Sequence, residues 1–216
     1  MITIESMMSI DKSGLQEASK MVSKEDIPKL VEWLSIKDDN IRYHAFLLLQ
    51  NRSLFFDDVY PYWDILKNKL KSDNSYQRSI GLMLIAENAK WDVDNRMKDT
   101  IDEYLEFLND VKPITVRQCI QSLGKVVPYN PDLINKIARK LISFNLMSIK
   151  ETMCKSILLD ILKVLIIIRK NLKTDEIESF IINALSGEIL DNKAKKQVKL
   201  LLGKPEFGDG RMCENL

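Results

Sequence analysis

Four stretches of this chain align with one another without a gap: residues 42–49 (RYHAFLLL), 78–85 (RSIGLMLI), 117–124 (RQCIQSLG) and 155–162 (KSILLDIL). Each opens on a basic residue, and the openings lie 36, 39 and 38 residues apart. Three positions on stand Ala45, Gly81, Ile120 and Leu158; six positions on stand Leu48, Leu84, Leu123 and Ile161. Offsets of three, six and seven share one side of a helix, whereas a strand would alternate, so each stretch is predicted to be an amphipathic helix with an inward stripe. A period near 40 residues is that of a stacked helix-pair architecture, in which no single unit buries its own apolar face.

A second helical pattern precedes each of these. Ile27, Leu30, Val31 and Leu34 come before the first, and Tyr62, Ile65, Leu66 and Leu70 before the second. Met97, Ile101, Tyr104, Leu105 and Leu108 lead the third, and Leu133, Ile137, Leu141 and Phe144 the fourth. The chain therefore reads as first and second helices in alternation. Asn130-Pro131-Asp132 reads as a cap, a proline at the first helical position and an acid in the first turn. Pro61 and Pro113 are expected to open helices in the same way, and Ser23 to Asp26 has the spacing of a capping box. A short leading helix near Ser13 to Val22 and a last pair, Asp175 to Ser186 and Asn192 to Leu202, would close the ends. Residues 1–202 are expected to form one domain with its clearest repeats in 24–169, and residues 203–216, which lack periodicity, to be a flexible tail.

Composition agrees. Seven glycines and six prolines in 216 residues are too few for the turns of a sandwich or barrel, and 45% hydrophobic with 29% charged residues suits a folded chain. With 32 basic against 31 acidic residues, no global field draws the molecule to nucleic acid or an anionic membrane. Met1 to Ile10 lacks the basic and apolar regions of a signal peptide. The most apolar run, Ile157 to Ile168, is broken by Asp160 and Lys163 and is shorter than the roughly 20 residues that span a bilayer. Cys119, Cys154 and Cys213 form no CxxC pair, which suits a reducing compartment, and the expected location is cytoplasmic. With a single histidine, His44, no metal site is expected, and no phosphate loop, HExxH or nucleophile elbow calls for a cofactor.

Residues 38–45 (DDNIRYHA) resemble the acid–x–x–Val–Arg–x–x–Ala signature of the HEAT-repeat family. The second unit keeps an acid and the arginine from Asp73 to Arg78, the third keeps Val116-Arg117 after Pro113, and the fourth has Lys155. The resemblance implies an all-α, right-handed α-α superhelix of about five antiparallel pairs, armadillo-like in outline. It also implies that the ladder Arg42, Arg78, Arg117 and Lys155 pairs with acids such as Asp38, Asp39, Asp73 and Asp110, and that second helices line a concave face. Residues opposite the inward stripe then become the candidate partner-binding set: Tyr43, Leu47, Gln50 and Met83 in an apolar first half, and Gln118, Lys125 and Lys163 in a polar second half.

The resulting expectation is a non-catalytic scaffold that binds a protein or peptide. Two other readings stand beside it. Trp91 with Asp92 and Asp94 bears a likeness to the HEAT-like alkylpurine DNA glycosylases, which would require a positive groove. The apolar half-face could instead join copies of the chain into a homo-oligomer.

Overall fold

The computed structural model describes residues 1–203, so the expected tail lies outside the described residues except for Gly203. Twelve α-helices and no strand occur among them. Two short helices, α1 (Ile4–Met8) and α2 (Leu15–Met21), lead into pairs: α3 (Ile27–Trp33) with α4 (Asp39–Arg52), and α5 (Trp63–Leu70) with α6 (Ser75–Asn88). Then come α7 (Arg96–Leu105) with α8 (Pro113–Val126), α9 (Ile134–Ile142) with α10 (Glu151–Arg169), and α11 (Asp175–Ser186) with α12 (Asn192–Leu202).

Order along the chain is order in space. The even-numbered helices form a continuous row in which α4 touches α6, α6 touches α8, α8 touches α10 and α10 touches α12. On this row pack α3, α5 and α9, each against the even helix that follows it, while the 3-10 turn at Glu106–Asn109 carries α7 into α8. At the front, α1 and α2 cover α4. The two inward columns are buried along the row, from Ala45 and Leu48 through Leu123 to Leu158 and Ile161. At Gly81 a Cβ would stand 2.8 Å from the Leu66 carbonyl oxygen, so the absent side chain lets α6 approach the α5 backbone.

Local chemistry sets the helix starts. Asp38 accepts hydrogen bonds from the Asn40 and Ile41 N–H groups at 2.9 and 3.1 Å, and Asn74, Thr174 and Asp191 cap α6, α11 and α12 in the same manner. Pro113 is the first residue of α8. Two expected caps are corrected. The Ser23 hydroxyl donates to Glu25 and caps nothing. The Asn130 amide donates to the Val126 carbonyl at 3.1 Å, so it closes the preceding helical segment rather than opening the next one.

The apolar run at residues 157–168 forms the middle of α10, and among the described residues no helix is long and apolar enough to cross a membrane.

Candidate binding groove

α4, α6 and α8 lie side by side, and their N-terminal halves face a common space. A groove of about 610 Å³ runs there between Asp39 to Phe46, Ser75 to Met83, and the start of α8 at Lys112, Ile114 and Gln118. Its floor is apolar: Phe46 and Ile80 are buried and Met83 is half-buried. Its rim carries large exposed apolar groups, with Tyr43 at 48%, Tyr76 at 67% and Ile114 at 53% exposure. The Tyr43 ring stacks on Phe46, centroids 6.4 Å apart, and is thereby given a fixed direction. Charge enters from Asp39, Arg42 and Lys112.

Of the seven residues expected to bind a partner, Tyr43, Met83 and Gln118 line this groove. Leu47 and Gln50 sit farther along α4, half-buried and outside the lining. Lys125 reaches across to the buried carboxylate of Glu87, and Lys163 is half-buried on α10, distant in sequence from the groove helices. The open strip is narrower than helical offsets suggest. α6, α8 and α10 each touch an even-numbered neighbour on both flanks, which buries Ser79, Ala86, Ser122 and Asp160 although all four lie opposite the inward stripe.

The basic column divides sharply. Arg78 is held by Asp110 through two parallel hydrogen bonds of 2.7 and 2.9 Å and also donates to the Ser72 and Asp73 carbonyls. Arg117 donates to the buried Asp160 at 2.7 Å, and Lys155 to Asp191 at 2.8 Å. All three therefore reach forward to an acid of the following helix pair. Arg42 instead turns back to Asp39 on its own helix and to the Ile36 carbonyl at 2.8 Å.

Forward of Arg42 lies a polar pocket of about 880 Å³, between the α3–α4 and α5–α6 turns, which shares Asp39, Arg42, Ser75 and Tyr76 with the groove. Lys69 lines it and is 7% exposed. Its ammonium donates to Ser35 Oγ at 2.9 Å and Gln77 Oε1 at 2.7 Å, both neutral acceptors. Burial first, and then the like charge of Arg42, bring the Lys69 pKa down from 10.5 to about 8.

The Trp91, Asp92 and Asp94 segment is bound inwards. The Trp91 indole donates to the Ser53 carbonyl at 2.9 Å. Tyr60 donates to Asp92 at 2.8 Å and to Asp94 at 2.9 Å, geometries that share one phenolic proton between two carboxylates. Asp92 also accepts from the Arg96 and Met97 N–H groups at 2.8 and 2.7 Å, and Asn95 turns the loop at a φ of 58°. Burial, reinforced by both carboxylates, raises the Tyr60 phenol well above its ordinary range. His44 Nδ1 lies 2.9 Å from the Asn40 carbonyl oxygen, and burial pushes the Cys119 thiol up, away from reactivity.

Among the lining residues that escaped the sequence reading are Tyr76, Ile114 and Lys69. Tyr76 and Ile114 lie in first turns ahead of the basic column, where the repeat alignment begins too late to include them. Lys69 differs from other lysines only through the turns that bury it. Compared with known proteins, the chain matches no family model, and no curated protein matches it in sequence.

Proposed function

We propose that this chain is a HEAT-type, right-handed helical solenoid that acts as a non-catalytic binding module, taking a short protein segment into the groove across α4, α6 and α8. The solenoid reading is supported by the neighbour-to-neighbour row of even helices and by the gapless repeat columns. The binding reading is carried by one observation: an apolar floor at Phe46, Ile80 and Met83 lies open beneath a rim of exposed Tyr43, Tyr76 and Ile114. Such a surface supplies aromatic and methionine contact area of the kind that anchors peptides.

Selection of displayed random decapeptides against the full chain tests this. Enrichment of peptides that the wild type binds and that Met83→Glu does not bind is the expected result, with Met147→Glu, an exposed site off the groove, as a control. If no peptide is enriched, or if Met83→Glu retains the binders, the groove reading fails. Self-association in light scattering that Met83→Glu abolishes would replace the peptide by a second copy. The DNA-repair reading draws no support from the Trp91 segment, whose indole N–H and carboxylates are engaged within the chain.

A further inference from the structure

We infer that the pocket between the first two helix pairs receives a carboxylate from the bound segment, at Arg42 and Lys69, so that the partner is an acidic and apolar peptide rather than an apolar one. This rests on the groove reading above and gives it a chemistry.

Every later rung of the basic column meets an acid from the next pair: Arg78 meets Asp110, Arg117 meets Asp160 and Lys155 meets Asp191. At the first rung, among the described residues, no acid of the next pair is ion-paired with Arg42, and that pair contributes Lys69 as well as Asp73 to the pocket lining. Three cations, Lys37, Arg42 and Lys69, line this one pocket, and the acid that holds Arg42, Asp39, is on the same helix with its side chain 78% exposed. Lys69 forms no ion pair among the described residues; a buried ammonium held by a hydroxyl and an amide is left without its counter-charge. The lowered pKa of Lys69 agrees with this unbalanced charge.

Position extends the inference to the peptide. Pocket and groove share Arg42 and Tyr76, so one extended segment can lay an apolar side chain over Met83 and bring a carboxylate to Arg42. Arg42 lies 5.9 Å from the centroid of the exposed Tyr76 ring, which flanks the approach. Asp39 and Asp73 also line the pocket, and their charge favours a single carboxylate over a dianionic phosphate.

Display selection with and without Lys69 decides it. The wild type should enrich decapeptides with Asp or Glu at a fixed spacing from an aromatic or aliphatic residue. Changing that acid to its amide should weaken binding tenfold or more. Lys69→Met, which leaves Arg42 to meet the carboxylate without it, should lose most of the preference for the acid over the amide form, and Lys69→Arg, which restores the charge, should recover it. Circular dichroism of both variants establishes that they fold, and the arginine variant keeps the test decisive if methionine disturbs packing. If the wild type enriches apolar peptides with no acid preference and Met83→Glu loses them, the carboxylate pocket is overturned and the groove stands. If acidic peptides bind through Lys69 but ignore Met83→Glu, the pocket stands and the groove reading is overturned. Enrichment of nothing overturns both.

Discussion

The junction between α6 and α8 and the junction between α4 and α6 are built on the same repeat, yet they finish differently. At the α6–α8 junction Arg78 and Asp110 are nearly buried, at 11% and 5% side-chain exposure, and the guanidinium is fully directed by one carboxylate and two carbonyls. At the α4–α6 junction the arginine folds back to Asp39, and a pocket lined by Lys69 and Asp73 of the next pair stays open. The lesson is that a repeat position closed by an internal acid contributes to stability, whereas the same position left open becomes surface chemistry.

Breaking the closed junction should have the largest effect. Asp110→Ala leaves the nearly buried Arg78 charge without its carboxylate partner and also removes the acceptor of the Lys112 N–H, 2.7 Å away. A loss of about 3–5 kcal/mol is expected from an orphaned buried charge, read as a lower midpoint in urea unfolding.

Gly81 ties the open junction to its packing. A methyl there would meet the Leu66 carbonyl oxygen at 2.8 Å, Leu70 Cδ2 at 3.0 Å and Lys69 Cβ at 3.2 Å, so α5 and the stem of Lys69 must both move. Gly81→Ala should cost about 1–3 kcal/mol by overpacking. Gly124 stands one turn from the equivalent place on α8, and its methyl would meet only side-chain ends, Ile167 Cδ1 at 3.3 Å and Val164 Cγ2 at 3.7 Å. There the same change should be neutral or stabilising by up to about 1 kcal/mol, because alanine favours the helix. Equal losses at both glycines would mean that the approach of α6 to α5 is no tighter than that of α8 to α10.

How far such differences can be read from sequence follows from the range of the interactions. Helix limits are local, and Thr174 and Asp191 announce α11 and α12, whose bounds match the expected Asp175–Ser186 and Asn192–Leu202. Tyr43, Met83 and Gln118 were placed by helical offset alone. The ion-pair partners were not all within reach, because Asp160 and Asp191 lie 43 and 36 residues from Arg117 and Lys155. Asp160 in particular has the offset of an open face and is buried by the neighbouring helix. Lys69 is the extreme case: its environment comes from Ser35, Arg42 and Gln77, on three other segments.

Proton linkage at Lys69 gives a smaller, pH-dependent contrast. Between pH of about 8 and the ordinary lysine value of 10.5, the unfolded chain holds a proton that the folded chain has released. Stability contributed by this site should therefore rise with pH across that window and be level below it. One proton supports a slope of at most about 1.4 kcal/mol per pH unit. Urea unfolding of the wild type and Lys69→Met from pH 7 to 10 measures it, and the slope should shrink in the variant. Parallel curves would mean that Lys69 is as well solvated as an ordinary surface lysine.

The smallest effect is expected at the acid of the open junction, and it sharpens the comparison most. Asp39 is mostly exposed and Arg42 keeps the Ile36 carbonyl without it, so Asp39→Ala should cost less than about 1 kcal/mol. A double-mutant cycle between Asp39 and Arg42 should give a coupling of that size, against several times more between Asp110 and Arg78. Removing Asp39 also frees the Arg42 guanidinium from its competing carboxylate. The variant should then bind an acidic peptide more tightly than the wild type while being slightly less stable. A change that weakens the fold and strengthens binding is not expected of a residue whose pair is structural, and Asp110→Ala should produce no such gain.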